Sequence, residues 1–449
     1  MTDALNSYVT RNVPRYTSYP TAPHFSGDVG HEDYARCLEK LDPADPISLY
    51  LHVPFCRELC WYCGCNMKLA TREAPLASYA QTLRHEIELV ARYLPAPMTF
   101  GHLHWGGGTP TALVPKDLAD TMQTVHRHFK MADGAELAIE SDPRTLTPEM
   151  IRTIGALGFN RASFGVQEFD PKVQAAINRI QPPDMVASCV DDLRSAGISA
   201  INFDLIYGLP HQSVNTLLET IRLCLKMEPD RIALFGYAHV PWMAKKQRLI
   251  DEAALPGAQA RVEQASQAAQ YLKDHGYEAI GLDHFAKPSD ALAKAAKAGT
   301  MRRNFQGYTT DQADTMLGLG ATSIGHTPSS YVQNTVETGA WARAVEGGQL
   351  PIARGFLLSK DDQMRGDVIE QIMCRGSVDL AQAAKRFGNA PDWYGDTLPL
   401  LAELARDGLI TLDGSELRVT HLGQPLVRVI AAAFDTYLQS ASARHAIAV

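Results

Sequence analysis

The sequence predicts an α/β fold, a partial (β/α)6 TIM-like barrel followed by a mainly helical, winged-helix-like C-terminal domain. Six short β-branched or aromatic segments alternate with amphipathic segments, glycine and polar residues gather where those short segments end, and the alternation stops near residue 356. A strand followed by a helix, repeated six times, implies parallel strands joined by right-handed crossovers.

The predicted strands are ISLYLHVPF (47–55), FGHLHWGGG (100–108), ELAIESDP (136–143), NRASFGVQ (160–167), AINFDLIYGLP (200–210) and RIALFGYAHV (231–240). Between them, segments such as LASYAQTLRHEIELVARYL place apolar residues at helical spacing. Chemistry in such a sheet collects at the carboxyl ends of the strands. The site is therefore expected among the residues that end them: Cys56, the GGGT run, Glu140, Gln167, Asp204 and Ala238.

The C-terminal part has a different pattern. Three helices (DDQMRGDVIEQIMCRG, VDLAQAAKRFG and TLPLLAELARDGL) precede a hairpin that turns at Asp413-Gly414, and a last helix, QPLVRVIAAAFDTYL, follows. Residues 356–449 contain nine Lys and Arg and twelve Asp and Glu, a net charge of −3, which favours a capping role over DNA binding. We therefore expect an N-terminal segment over the active site (1–45), the barrel with its extension (46–355) and a C-terminal helical domain (356–449).

Composition excludes several classes of protein. The 449 residues are 45% hydrophobic and 20% charged with a formal net charge of −8, so nucleic acid and anionic membranes are not expected partners. No apolar run approaches the ~18 residues of a membrane span, and MTDALNSYVTRNVPRYTSYP contains no signal-peptide core. We expect a cytoplasmic protein, and nothing in the sequence requires more than a monomer.

Four of the eight cysteines lie within CRELCWYCGC (56–65), directly after the first strand. In the reducing cytoplasm such a cluster favours metal binding over disulfides. Zinc sites usually pair two separated clusters; no second cluster exists, although Cys65 could complete a cramped site. A cubane iron–sulfur cluster has four ligand positions, so three thiolates leave one iron open. The remaining cysteines are interpreted as buried apolar side chains: Cys37, Cys189, Cys224 and Cys374.

The second motif, HWGGGTPT (104–111), ends the second predicted strand. A glycine triplet alone usually serves a tight turn, but here it also leaves backbone polar groups free for a ligand. Glu140 ends the third strand, where it is either an exposed carboxylate or an acceptor for a ribose or an amine.

The motif C-x3-C-x2-C after the first barrel strand resembles the signature of the radical S-adenosylmethionine (SAM) superfamily. Within it, the chain resembles the oxygen-independent coproporphyrinogen III dehydrogenases from about Arg15 to the final FDTYL. The matching stretches are RYTSYPTAPHF, LYLHVPFCRELCWYCGCN, LHWGGGTPT, FGVQEF, FDLIYGLP and RNFQGYTT. RYTSYP and the extra cysteine, Cys65, are features that distinguish the dehydrogenases from related haem chaperones.

The resemblance implies an anaerobic reaction in which the ring A and B propionates of coproporphyrinogen III become vinyl groups with loss of carbon dioxide, giving protoporphyrinogen IX. The hydrogen is abstracted by a 5′-deoxyadenosyl radical, which arises when a reduced 4Fe-4S cluster donates an electron to SAM. An external electron donor and acceptor are also implied, and neither is identified. Two alternatives stay open: a haem chaperone, and a haem-degrading or methyl-transferring radical enzyme.

The same resemblance assigns residues. The cluster ligands are Cys56, Cys60 and Cys63. Positions around the cluster-bound SAM are Tyr50, Gly107, Glu140 and Ile324. A second SAM site corresponds to Tyr62 (commonly Phe in the family), Gly108, Thr109, Gln167, Arg179, Asp204 and Ala238. Gln306 is a further cofactor-side candidate, and Cys65 is not expected to bind iron, so its role is open between structure and function.

The substrate's propionates require cationic partners, for which the candidates are Arg15 and either Arg302 or Arg303. The alternative for each of them is an ordinary surface or ion-paired arginine. Arg15 begins RYTSYP (15–20), which shows no regular apolar period. We therefore expect this segment not to be a core element but to lie extended across the cavity mouth, where it would protect a radical from solvent.

Overall fold

A computed structural model describes residue 8 and residues 11–438. Its first elements form the start of the predicted barrel. In chain order they are helix α1 (His31–Glu39), strands β1 (Ile47–Val53), β2 (Phe55–Cys56) and β3 (Lys68–Leu69), α2 (Glu73–Arg92), β4 (Thr99–Gly107), α3 (Pro115–His128), β5 (Lys130–Ser141), α4 (Pro148–Ala156) and β6 (Arg161–Gln167). Pro115 and Pro148 lie in the first turns of α3 and α4, where the missing N–H leaves no bond unmade.

The barrel continues with two further strands and then an extension. These elements are α5 (Pro171–Ala176), α6 (Pro183–Ser195), β7 (Ala200–Tyr207), α7 (Val214–Lys226), β8 (Arg231–Gly236), α8 (Ala258–Asp274), β9 (Glu278–Ile280), β10 (His284–Ala286), α9 (Ala291–Ala298), β11 (Arg302–Asn304), β12 (Gly307–Thr309), β13 (Thr315–Leu319), β14 (Ile324–Thr327), β15 (Ser330–Asn334), α10 (Thr338–Glu346) and β16 (Ile352–Leu357).

The six strands predicted from the sequence lie side by side and parallel, in the order β1-β4-β5-β6-β7-β8. The predicted partial barrel is therefore confirmed. The sheet extends beyond the barrel at both edges: β10 and β9 follow β8 antiparallel, and β13 to β16 continue from β1. One continuous core lies between the sheet and its helices.

The C-terminal part is the predicted helical unit. It contains α11 (Lys360–Arg375), β17 (Ser377–Asp379), α12 (Leu380–Phe387), α13 (Leu398–Arg406), β18 (Ile410–Asp413), β19 (Glu416–Val419) and α14 (Val427–Ala431). Gly414, with φ of +58°, makes the predicted hairpin turn, and β17 adds an unpredicted third strand. The predicted last helix is shorter than expected, because α14 is flanked by 3₁₀ turns.

The prediction that RYTSYP is not a core element is wrong. Val13, Tyr16 and Tyr19 are each at most 4% exposed and, together with Tyr8, pack into the second hydrophobic core, which the C-terminal unit forms. The Tyr16 hydroxyl donates to Asp435 Oδ2 at 2.9 Å. Residues 13–20 lie outside the regular helices and strands, so the periodicities of helix and strand do not detect their burial. Within the described residues, no helix is long and apolar enough to span a membrane.

Candidate functional site

The carboxyl ends of the barrel strands bring several predicted site residues into contact. Tyr50 of β1 and Glu140 of β5 both face Gly106 of β4. A Cβ atom at Gly106 would lie 2.9 Å from Glu140 Oε1 and 3.0 Å from the Tyr50 hydroxyl oxygen. A side chain at this position would therefore displace one of the two flanking groups.

The cysteine motif forms a loop at this edge of the sheet. Cys56 ends β2, which pairs with β3 and so closes the loop between them. The Thr109 hydroxyl, just after the glycine triplet, donates to Cys56 Sγ at 3.5 Å. Burial raises the pKa of the Cys56 thiol to about 11. The loop and the glycine motif, which are separate in sequence, thus form one structure.

Two guanidinium groups point at the sulfur of Cys60. Arg144 Nη2 and Arg179 Nη1 each donate to Cys60 Sγ at 3.3 Å, and Cys60 is 8% exposed. Asp142 accepts from both arginines, at 2.7 and 3.3 Å. Burial opposes ionisation of Asp142, but Arg179 and Arg144 outweigh it and hold the pKa of that carboxyl below its usual value. The two arginines therefore place positive charge and hydrogen-bond donors beside the Cys60 sulfur.

Cys63 and Cys65 interact with each other. The Cys65 backbone N–H donates to Cys63 Sγ at 3.3 Å. Hydrogen bonding from Cys65 lowers the pKa of the Cys63 thiol to about 6, whereas the same interaction raises the pKa of Cys65. Across residues 11–438, no three His, Cys, Asp or Glu side chains converge on a point that would suit a single metal ion. Ligands of a cubane cluster need no such convergence, because each thiolate binds a different iron.

The Glu140 carboxylate lies over the glycine triplet. It accepts the Gly107 N–H at Oε2 (3.2 Å), and His104 Nε2 lies 3.1 Å from Oε1. Gly107 has φ of +118°, which side chains rarely adopt, and a Cβ at Gly108 would lie 2.6 Å from Phe55 O. Two of the three glycines are thus required by backbone conformation or by close approach of the chain.

Gln167, at the end of β6, has an unusual conformation for a buried side chain. Its φ is +65°, it is 7% exposed, and its Oε1 is buried without a hydrogen-bond partner among the described residues. Nearby, Arg179 Nε and Nη2 donate to Gly165 O at 2.9 and 2.6 Å. A strained residue with an unsatisfied acceptor is typical of a ligand-binding position.

Asp204 and Arg179 do not form a surface charge pair. Arg179 is 6% exposed and pairs with Asp142, while Asp204 lies on β7. Burial, with a smaller contribution from Glu140, raises the pKa of Asp204 to about 7. Both residues are therefore away from the surface, and the direct ion pair of Arg179 is with Asp142, although its charge also acts on Asp204.

Ala238 and Tyr62 are linked through a buried glutamine. Gln247 Nε2 donates to Tyr62 O at 2.7 Å and to Ala238 O at 3.1 Å. This contact joins the segment after β8 to the cysteine loop after β1. The two ends of the six-strand array therefore meet at the site.

Ile324 lies close to Tyr50, whereas Gln306 lies in an earlier part of the extension. Gly318 of β13 pairs with Tyr50, and a Cβ on it would lie 2.5 Å from Ile324 O. Gln306, in the β11–β12 turn, donates to Met316 Sδ at 3.5 Å and shares a small cavity with His104.

The candidate arginines have different surroundings. Arg302 is engaged in ion pairs with Glu370 (2.9 Å) and Asp314 (3.0 Å). Arg303 has Nε and Nη1 buried without a hydrogen-bond partner in the described part of the chain, and its guanidinium lies 4.3 Å from the centre of the Tyr308 ring. Burial opposes ionisation of Asp283, but the neighbouring His284 lowers the pKa of that carboxyl below its usual value. The charges of Arg303 and of Arg15, which is exposed, lower this pKa further. Arg303 and Arg15 thus belong to one cationic region.

Sequence reasoning missed three residues that shape the site: Asp142, Arg144 and Gln247. Asp142 and Arg144 follow β5 directly, within the segment ESDPR, so a charged pair just after a barrel strand was a usable signal. Gln247 lies in the long connection after β8, and nothing in its local sequence indicates its contacts.

Comparisons with known proteins give a consistent picture. Residues 50–224 match the model of the radical SAM superfamily, and residues 358–426 match the HemN C-terminal domain. The chain is 49% identical over 447 residues to an oxygen-independent coproporphyrinogen III oxidase of Bradyrhizobium diazoefficiens, covering 100% of this chain and 99% of the relative. The same-named Escherichia coli protein is 39% identical over 95% of this chain and 93% of its own length.

Among solved structures, the chain is similar to coproporphyrinogen III oxidase (HemN) from Escherichia coli, described as a radical SAM enzyme. The TM-score is 0.90 at 37% identity, over 94% of this chain and 98% of the other. The likeness thus includes the barrel and the C-terminal unit together.

Proposed function

The chain belongs to the oxygen-independent coproporphyrinogen III oxidases of the radical SAM superfamily, and from this premise we propose how its residues perform the reaction. The substrate is coproporphyrinogen III, and the ring A and B propionates are converted anaerobically to vinyl groups with release of carbon dioxide. We assign this reaction to the site at the cysteine loop because two buried guanidinium groups, those of Arg144 and Arg179, donate hydrogen bonds to Cys60 in that loop.

Cys56, Cys60 and Cys63 would hold the 4Fe-4S cluster. The donor set fits: three thiols lie in one loop, Thr109 donates to the first, and the two arginines donate to the second. When bound, the cluster and SAM supply the homolytic C–H chemistry that no side-chain acid or base can provide. The chain's own contribution is to donate hydrogen bonds to these sulfurs and to orient the loop.

The residues around Gly107 would hold the cluster-bound SAM. Tyr50 and Glu140 lie against the glycine triplet, which offers backbone groups without side chains, and Ile324 lies beside Gly318, the residue that pairs with Tyr50. Glu140 has acceptor capacity beyond the Gly107 N–H and suits an amine or a ribose hydroxyl.

A second SAM site is supported by a different group of residues. It comprises Tyr62, Gly108, Thr109, Gln167, Arg179, Asp204 and Ala238. The unsatisfied Gln167 Oε1 and the contact that joins Tyr62 to Ala238 favour a ligand here. We assign Gln306 to the rim of the cofactor region and Cys65 to adjusting the Cys63 thiol, because Cys65 donates to it and is itself exposed.

Substrate carboxylates would meet Arg303 and Arg15. Arg303 has two buried N–H groups without a partner among the described residues, whereas Arg302 is held by two carboxylates. An unpaired buried guanidinium gains most from a carboxylate ligand. Of the two neighbouring candidates, Arg303 is therefore the better one.

The wider setting follows from the same premise. We place the enzyme in the cytoplasm as a monomer, with residues 1–45, 46–355 and 356–449 as segment, barrel and C-terminal domain. An external electron donor and acceptor complete the reaction.

The proposal is tested by anaerobic reconstitution with iron and sulfide, followed by incubation with SAM, dithionite and coproporphyrinogen III. Mass analysis should show loss of two carbon dioxide molecules and four hydrogens, giving protoporphyrinogen IX. Replacing Cys56, Cys60 or Cys63 by Ser should abolish the visible absorption of the cluster. Haem transfer without decarboxylation, or a methylated product, would assign a different function.

A further inference from the structure

The connection after β8 exposes an unusual group of apolar side chains. Trp242 is 58% exposed, Met243 76% and Leu249 60%. Single exposed apolar residues are common, but three large ones within eight residues form a patch of the kind that marks interaction sites.

The same segment is strongly basic. Lys245, Lys246 and Arg248 lie between the apolar residues, and none forms an ion pair with a carboxylate in the part of the chain that the structure describes. The whole chain has a formal net charge of −8, so this region opposes the overall charge. We call the six residues the 242–249 patch: Trp242, Met243, Lys245, Lys246, Arg248 and Leu249.

The 242–249 patch is fixed against the cysteine loop. Gln247, 1% exposed, donates to Tyr62 O at 2.7 Å and accepts the Val240 N–H at 2.6 Å. Lys246 Nζ donates to Cys65 O at 3.5 Å, and Cys65 itself is exposed. The patch therefore lies beside the solvent-facing edge of the loop that carries Cys63.

We propose that the 242–249 patch, with the exposed edge of the cysteine loop, is the docking surface for a small acidic electron-carrier protein. The inference rests on the proposed function, because the carrier would deliver single electrons to the iron–sulfur centre. One electron leaves the reduced carrier and one enters the centre, with no atom transferred. The carrier's acidic surface would face the lysines and arginine, while Trp242 and Met243 fill the apolar centre of the contact.

Charge complementarity alone also fits the anionic substrate, but the contacts favour the carrier. Lys246 of the patch contacts the loop at Cys65 O and beside the Cys63 side chain, and Gln247, between the patch residues, contacts Tyr62 O. Cys60 Sγ is instead turned toward Arg144 and Arg179. The arginines suited to propionates belong to a different region, around Asp283.

The test compares two variants with a matched control. Lys245→Glu/Arg248→Glu reverses two charges, Trp242→Ser/Met243→Ser removes the apolar centre, and Lys273→Glu/Lys294→Glu reverses two exposed lysines on α8 and α9. The probe is a recombinant flavodoxin with an acidic surface. Its affinity for the reconstituted enzyme is measured by calorimetry at two salt concentrations, and its oxidation by stopped flow.

We expect both patch variants to weaken flavodoxin binding at least about tenfold, with binding to the unmodified enzyme falling as salt rises, while the control matches the unmodified protein. Dithionite-driven turnover and the cluster spectrum should not change. Unaltered flavodoxin affinity in both variants, or no binding by the unmodified enzyme, would overturn the proposal. So would a raised KM for coproporphyrinogen III with dithionite, which would assign the patch to substrate. If the proposed function itself fails, the unmodified enzyme will not decarboxylate even with dithionite.

Discussion

Asp204 is a residue whose ionisation opposes folding. Burial and the Glu140 charge raise its pKa to about 7, above the unfolded value of about 3.9. The folded state therefore holds a proton that the unfolded chain has released, so stability from this group is complete below pH ~4 and is lost as the pH rises through 7. A buried carboxyl with this property is a typical functional residue.

We expect Asp204→Asn to be more stable than the unmodified protein by about 1–3 kcal/mol at pH 8 and to differ little at pH 4.5. The variant should keep its cluster absorption but lose decarboxylation, because the amide cannot accept a proton or carry charge. Denaturant titration at the two pH values and product analysis check both parts. Normal turnover would remove Asp204 from the site.

His326 predicts the opposite pH dependence. Burial lowers its pKa to about 4, and its ring stacks on Tyr331 with centroids 4.4 Å apart. The unfolded chain binds the proton near pH 6.5, so stability is lost as the pH falls from about 6.5 toward 4. The free energy of unfolding of the unmodified protein should therefore fall between pH 7 and pH 5. In His326→Gln we expect this fall to be about 1–2 kcal/mol smaller.

Urea unfolding at pH 7 and pH 5 measures this difference. His421→Gln, at an exposed histidine, serves as the control and should leave the fall unchanged. His52 has a similarly lowered pKa through burial, so part of the fall should persist in the His326 variant. An identical fall in the variant and the unmodified protein would contradict the prediction.

At the scale of elements, one carboxylate of α2 fixes the extension beyond β1. Glu86 is 1% exposed and accepts hydrogen bonds from Gly320 N, Asn334 Nδ2 and Trp341 Nε1. These donors follow β13, end β15 and belong to α10. Because the same extension carries Ile324, this contact also fixes the part of the chain that we propose as one wall of the cofactor site.

Glu86→Ala should therefore reduce the free energy of unfolding by about 3 kcal/mol or more, since three buried donors lose their acceptor. Glu88→Ala, on the same helix, removes only a 3.7 Å ion pair with Arg127 and should cost under about 1 kcal/mol. Equal losses in the two variants, measured by urea unfolding, would show that the Glu86 contacts contribute little.

Some of these elements could be predicted from the sequence and others could not. The six barrel strands were predictable because short segments rich in β-branched or aromatic residues alternate with segments of helical spacing. The short strand β17 was not, because three residues carry no periodic signal. In the site, the cysteines and glycines have recognisable spacing, whereas Arg144 and Gln247 act through contacts that only the folded chain creates.

In the part of the chain that the structure describes there are two main cores, and the N-terminal segment belongs to the second. The barrel core contains β1 and its neighbours, while Tyr8, Val13, Tyr16 and Tyr19 pack with α11, α14 and the C-terminal hairpin. The segment then returns to the barrel extension, where Phe25 stacks on Tyr331 and Ser26 pairs with Gly355. It thus ties the C-terminal unit to the rest of the chain.

Removing residues 1–25 should therefore destabilise the C-terminal unit and not simply uncover the cavity. Loss of one buried aromatic side chain typically costs about 3–5 kcal/mol, and the deletion removes three buried tyrosines. The barrel core and the cysteine loop remain, so the truncated protein should still bind the iron–sulfur cluster. Limited proteolysis with mass analysis should show early cleavage within residues 356–438, and decarboxylation should be lost.

Two point variants separate packing from substrate contact. Tyr16→Phe removes the hydrogen bond to buried Asp435 and should cost about 1–3 kcal/mol of stability with little change in KM. Arg15→Gln, at an exposed side chain, should leave stability unchanged and raise the KM for coproporphyrinogen III. A truncated chain whose C-terminal unit resists protease as well as the full chain would show that the tyrosines contribute little to the second core.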